Sequence, residues 1–199
     1  MDFVVPLRLQ GLELVAGRGH YERVIKAVLA ARRSVWIATA NLKELMIEPA
    51  LRMPGRRNDY RSVLDAFDEL AARGVELRIL HASLPSGPFR DEFDRHKRLV
   101  RGGLELRMCP RVHLKAVIID GALVYLGSAN WTGAGLGVKA EGRRNFELGI
   151  VSDDDQLLDH VQALYESIWT GAPCAGCRVR DNCEAPLCDA PAVPARAAR

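Results

Sequence analysis

Two apolar runs, residues 112–119 and 122–127, flank the dipeptide Asp120-Gly121. Asp-Gly between such runs marks a two-residue hairpin turn, because both central positions of that turn need positive φ. The stretch RVHLKAVIIDGALVYLGSANWT, residues 111–132, is therefore expected to be an antiparallel hairpin largely buried in a sheet. Two polar residues, His113 and Lys115, interrupt its apolar run, and a buried charge needs a partner. Pairing outward from the turn sets Ile119 opposite Ala122, Val117 opposite Val124, Lys115 opposite Leu126 and His113 opposite Ser128. His113 and Lys115 then share a face about 7 Å apart. Ser128 joins them across the pair, and Asn130 follows as the chain leaves the sheet. An imidazole, an ammonium, a hydroxyl and an amide gathered at one end of a hairpin suit a tetrahedral anion. The lysine neutralises charge, the hydroxyl and amide donate hydrogen bonds, and the imidazole can attack phosphorus or move a proton.

The chain around the hairpin alternates helices and strands. Tyr21, Val24, Ile25, Val28 and Leu29 recur at helical spacing, and residues 34–40 form an apolar strand. A second helix is expected from Tyr60 to Arg73, stopped by Gly74. A strand over 75–80, a polar helix over Asp91–Val100 and a strand over 104–109 follow. Residues 145–151 alternate as a further strand, and Ser152 with Asp155 makes a capping-box-like start for a last helix. This order indicates an α/β layered fold. Beyond Trp169 the composition shifts to Pro, Ala, Cys and Arg. The chain thus divides into a domain of residues 1–170, a Cys-rich segment of residues 171–189 and a disordered tail of residues 190–199.

No apolar stretch reaches the roughly 18 residues of a membrane span. The N-terminus lacks a basic region followed by a long apolar one, so the expected location is the cytoplasm. A net charge of +3 names no partner by itself. Two loops are locally basic, one with Arg52, Arg56 and Arg57, the other with Lys139, Arg143 and Arg144. Such loops suit a polyanion followed along its phosphates. The five cysteines are not spaced as a disulfide framework, which fits a reducing compartment. Cys109 stands alone, while Cys174, Cys177, Cys183 and Cys188 are spaced C-x2-C-x5-C-x4-C. A C-x2-C pair chelates one centre from a tight turn and two more thiolates complete its coordination, so a structural zinc or [4Fe–4S] centre is expected there.

The hairpin is similar to the H-x-K-x4-D-x6-G-S-x-x-N signature of the phospholipase D superfamily, with His113, Lys115, Asp120, Gly127 and Ser128 at its positions. Asn130 stands two residues after the serine, and Glu147 resembles the downstream acidic residue that orients the histidine. The resemblance runs from about Leu12 to Trp169. It implies a mixed β-sheet flanked by helices on both faces and a two-step phosphodiester transfer with no cofactor for the chemistry. One histidine forms a phosphohistidine and a second protonates the leaving group. This chain has one H-x-K, so the second histidine is expected from another subunit of a homodimer. Small single-motif members resemble nucleases more than lipases, so the expected substrate is DNA or RNA. Phospholipid hydrolysis or transfer, or a catalytically inactive nucleic-acid-binding module, are the alternatives. The C-x2-C-x5-C segment also looks like the iron–sulfur segment of some DNA-processing nucleases.

Overall fold

The computed structural model describes residues 11–48 and 60–190. Its strands are β1 (Leu12–Ala16), β2 (Ser34–Thr39), β3 (Met46–Ile47), β4 (Arg61–Ser62), β5 (Glu76–His81), β6 (Glu105–Met108), β7 (Ala116–Ile119), β8 (Leu123–Gly127) and β9 (Leu148–Ser152). Among the described residues seven of these form one sheet in the order β1-β9-β8-β7-β2-β5-β6, and β3 pairs with β4 separately. β2, β5 and β6 run parallel, whereas β7, β8, β9 and β1 join antiparallel, so the sheet is mixed.

Helices cover both faces. On one, a wide turn over Tyr21–Ile25 runs into α1 (Lys26–Leu29), followed by α2 (Val63–Ala72) and α3 (Gly87–Arg95). Their residues Val24, Val28, Phe67, Leu70 and Phe89 pack with Val35, Ile37, Ile79 and Val117 of the sheet. On the other face α4 (Asp155–Trp169) places Leu158, Tyr165 and Trp169 against Ala38, Leu80, Ile118 and Val124. Alternate residues of each central strand thus face two cores, which is why these strands read as continuous apolar runs. Among the described residues no helix is long and apolar enough to cross a membrane.

Several expected boundaries shift. α2 begins at Val63 rather than Tyr60, because Arg61–Ser62 pair with Met46–Ile47 and the Ser62 hydroxyl caps the helix by accepting the Leu64 N–H at 2.9 Å. The helix expected over 91–100 is α3 from Gly87 to Arg95, with Pro88 in its first turn, followed by a separate wide turn over Leu99–Gly103. Pro is well suited to a helix start. The cap of α4 is Asp154, whose carboxylate accepts the Leu157 N–H at 3.0 Å; Ser152 instead accepts the Asp154 N–H.

The hairpin register is the correction that bears on the site. Asp120 and Gly121 take φ of +56° and +62°, as the turn chemistry requires. Yet Ile119 pairs with Leu123 and Val117 with Tyr125, leaving Ala122 as an extra turn residue. A one-residue slip moves every pairing. Both alternatives bury apolar side chains on both faces, so the sequence pattern had nothing with which to choose between them.

Candidate active site

β7 and β9 start, and β2, β5 and β8 end, at one edge of the sheet. The carboxyl edge of parallel strands, next to the strand where direction changes, is where open α/β sheets hold ligands. His113 and Lys115 lie just before β7, not inside a buried strand. His113 is exposed and Lys115 half-buried. The Lys115 ammonium lies 2.9 Å from His113 Nδ1 and 3.2 Å from Nε2, and it donates to the His113 carbonyl at 2.9 Å. Lysine therefore holds the ring of the motif histidine at the rim of the sheet. Burial pulls the Lys115 pKa below the ordinary lysine value, with the Glu147 charge acting the other way.

Ser128 does not face His113. In the observed register Gly127 lies beside Lys115, donating its N–H to the Lys115 carbonyl at 3.1 Å. Ser128 turns instead to the start of β9, where its hydroxyl donates to Glu147 Oε2 and accepts the Leu148 N–H at 3.1 Å. Glu147 also accepts from the Asn145 amide at 3.1 Å. Glu147 thus orients Ser128 and biases Lys115 by charge; its hydrogen bonds do not run to the histidine ring. Asn130 is committed through its Oδ1, which accepts from the Asn41 N–H at 3.0 Å and the Thr39 hydroxyl at 3.3 Å. These bonds fix the loop and leave the amide NH2 as its donor group.

The glycine of the signature has a visible cause. Gly127 sits opposite Gly149, and a Cβ on either would collide with the Tyr125 side chain lying across them. Burial pushes the Tyr125 hydroxyl up to about 12. The ring of His20, itself fully buried, meets Tyr125 edge-on at 5.6 Å, and its Nδ1 lies 3.2 Å from the Gly17 carbonyl. Burial lowers the His20 pKa, against opposing effects from Gly17 and the Glu147 charge. Sequence spacing sets His20 aside; only the fold brings it behind the site, and no local motif announces it.

Asp120 lies away from His113 and Lys115. It is five residues from Lys115 at the opposite end of β7, about 17 Å along an extended strand. Its carboxylate accepts the N–H groups of Arg32, Arg33 and Ser34 at 3.0, 2.6 and 3.0 Å, tying the hairpin turn to the start of β2. Burial would raise its pKa, but these N–H groups and the Arg33 charge outweigh it, so the pKa falls below the ordinary value. Lys139, Arg143 and Arg144 occupy a loop that leaves the sheet edge after Asn130 and returns at Glu147, closed by the Asn145 N–H to the Ala134 carbonyl at 3.1 Å. Arg144 donates back to the Lys139 carbonyl at 2.6 Å, so it braces the loop. Arg52, Arg56 and Arg57 lie outside the described residues, as do residues 191–199.

The Cys-rich segment folds back on the domain rather than hanging from Trp169. Cys174, Cys177 and Cys183 line a cavity whose other wall is the Met108–Arg111 segment; Cys188 is exposed. The Cys177 thiol is drawn below its ordinary pKa by the Val179 N–H and then by Arg111. That of Cys188 is pushed up, by desolvation first and then by hydrogen bonds with Asp189 and Cys174.

A histidine held by a lysine, beside a Ser–Glu pair at the strand-reversal edge of a mixed sheet, defines the class of a phospholipase D-like domain. Residues 24–169 match the family described as cardiolipin synthase, PLD-like domain, and the chain belongs to that family. Among curated proteins no sequence matches it. Solved structures share the fold. NucT from Helicobacter pylori is 18% identical with a TM-score of 0.55, over 78% of this chain and 93% of that one. Nuc from Salmonella typhimurium, a phospholipase D family member, is 19% identical with a TM-score of 0.54, over 80% and 95%. TrmBL2, an archaeal chromatin protein with a novel mode of DNA binding, is 15% identical with a TM-score of 0.50, over 82% and 54%.

Proposed function

We propose that the chain is a nuclease, cleaving DNA or RNA phosphodiesters through a phosphohistidine and without a catalytic metal. In the first step a His113 ring nitrogen attacks phosphorus, a P–N bond forms, and the P–O bond to the leaving oxygen breaks. That oxygen takes a proton from an acid. In the second step the conjugate base of that acid takes a proton from water, the water oxygen attacks phosphorus, the P–N bond breaks and the ring nitrogen regains its electron pair. Lys115 stabilises the charge on the phosphoryl oxygens in both steps. The single observation carrying this reading is the exposed His113 ring held by the Lys115 ammonium at the open sheet edge. The acid is His113 of a second copy, in a homodimer whose sites meet at a shared cleft.

Nucleic acid is the favoured substrate because the loop carrying Lys139 and Arg143, both exposed, leaves from and returns to the site. The description of the matched family, cardiolipin synthase, keeps a phospholipid substrate as the second reading. The cysteine segment is read as a zinc or [4Fe–4S] centre with a structural role.

The test is an assay in EDTA against single-stranded DNA, RNA and phosphatidylcholine. Turnover of nucleic acid, an acid-labile protein–phosphate adduct, and a loss of about 10⁴ or more in rate for His113→Ala are expected. Turnover of lipid alone would favour the second reading, and near-wild-type activity of His113→Ala would remove the mechanism. Nucleic-acid affinity should also fall steeply with salt, with a flatter slope for Arg143→Ala/Lys139→Ala. A salt-independent affinity would count against that loop as the binding surface.

A further inference from the structure

A second group of ligating side chains gathers outside the His113–Lys115 pair, where α2 and α3 meet. Asp65 lies in the first turn of α2, Glu92 late in α3, and His96 caps α3 four residues after Glu92. One ligand atom from each of the three lies within 4.8 Å of the other two. We propose that Asp65, Glu92 and His96 hold a Zn²⁺ ion that fastens α2 to α3, with Glu44 accepting a hydrogen bond from the water in its fourth position. The proposal is independent of the reaction assigned to His113.

Distances carry the argument first. His96 Nε2 lies 3.5 Å from Asp65 Oδ1 and 3.4 Å from Glu92 Oε1. An imidazolium hydrogen-bonded to either carboxylate would stand at about 2.7–3.2 Å. A tetrahedral zinc shell, with bonds of about 2.0–2.2 Å to nitrogen and oxygen, sets its ligand atoms roughly 3.4 Å apart. The spacing is that of donors sharing an ion, not of a donor and an acceptor sharing a proton. Satisfaction of the polar atoms points the same way. His96 Nε2 is buried with no hydrogen-bond partner among the described residues, and so is Glu44 Oε2. The other oxygen of Glu44 accepts the Ser62 hydroxyl at 2.5 Å, and the Glu92 and Asp65 charges both reach the Glu44 carboxyl. An ion at Nε2, and its water at Oε2, would satisfy both atoms.

Charge and space agree with that assignment. Glu92 meets Arg95 through Oε2 at 2.7 Å, which leaves Oε1 for the ion, and a divalent cation offsets the remaining carboxylates. Glu44, Asp65 and Glu92 line a cavity of about 510 Å³, room for the ion and its water to enter. An imidazole among carboxylates suits zinc, whereas Mg²⁺ and Ca²⁺ favour oxygen donors alone. Glu44 carries the clasp toward the candidate active site. It belongs to the segment after β2 in which the Asn41 N–H donates to Asn130 Oδ1 and the Lys43 N–H to the Trp131 carbonyl, each at 3.0 Å. The ion would thus brace the wall behind Asn130 while taking no part in the transfer.

The full-length chain is stripped with EDTA and titrated with Zn²⁺ by calorimetry, beside Asp65→Asn, His96→Gln and Glu44→Gln. Every chain keeps all its cysteines, so zinc taken by the Cys-rich segment cancels in the comparison. The wild type should bind about one equivalent more than Asp65→Asn or His96→Gln. Glu44→Gln should keep that equivalent and bind it about 10- to 100-fold more weakly. Zinc should raise the melting temperature of the wild type by more than that of the two ligand variants. Nitrogen NMR of the imidazoles in the wild type should show zinc shifting the His96 Nε2 signal, which decides the matter even if a variant fails to fold. Equal stoichiometry in all four chains, or a His96 signal that zinc leaves unmoved, would overturn the proposal. Loss of nuclease turnover would not touch it, because the readouts are binding, melting and the ring signal.

Discussion

Lys115 shows how one side chain can carry both the chemistry and its pH limit. Its ammonium contacts the His113 ring and stands in partial burial, with Glu147 as the opposing charge. Burial disfavours the charged form, so the folded pKa lies below the lysine value of 10.5. The clamp is therefore lost as pH rises through that lowered value. Activity should fall on the alkaline side earlier than an ordinary lysine would allow. In Lys115→Arg the guanidinium stays charged throughout, so the residual activity should keep its alkaline plateau, although a fork cannot reproduce a point charge and the maximal rate should drop. A rate–pH profile of both proteins checks this, and an unmoved alkaline limb would detach Lys115 from the reaction. The residue types at this site were legible because their spacing is fixed by covalent geometry. Their partners were not: the Ser128–Glu147 bond and the place of His20 depend on contacts across the sheet.

At the scale of the element, the hairpin was legible as a hairpin and misread in register. Asp-Gly announces the turn, but Ala122 is apolar and fits either the turn or the first strand position. What separates the two is tertiary: Tyr125 must lie over Gly127 and Gly149, and Asp120 must reach the N–H groups at the start of β2. Asp120 therefore ties the hairpin turn to the start of β2. Replacing it in Asp120→Ala removes the acceptor of three N–H groups and leaves a Cβ residue at φ +56°. A loss of about 2–4 kcal/mol in urea unfolding is expected, with the rate per folded molecule little changed. The folded pKa is lowered, so this contribution is fully present above the unfolded value of about 3.9. It is lost as pH falls through the folded value, and the gap between wild type and Asp120→Ala should close in acid. A variant with normal stability and no activity would return Asp120 to the reaction.

At the scale of the molecule, the edge strand bears on the proposed homodimer. Among the described residues β1 ends the sheet, and its Leu14 is 69% exposed on the face that also carries Leu148, 56% exposed, on the neighbouring strand. Phe146, fully exposed, directly precedes Glu147. An apolar edge is costly to leave in water and open to strand addition unless something covers it. In the homodimer proposed above a second copy would cover it and bring its own His113 to the same cleft. Leu14 contributes little to the monomer's own core, so Leu14→Asp should leave the melting temperature of the isolated chain within a few degrees. Facing its copy, the same carboxylate would be buried without a partner. Sedimentation should show a dimer for the wild type and a monomer for Leu14→Asp, with activity lost together with dimerisation. Mixing His113→Ala chains with wild-type chains should give heterodimers that lack either the nucleophile or the acid at each attack, so activity should fall below the wild-type fraction. A Leu14→Asp monomer with full activity would show that one histidine suffices and that the exposed edge serves another purpose.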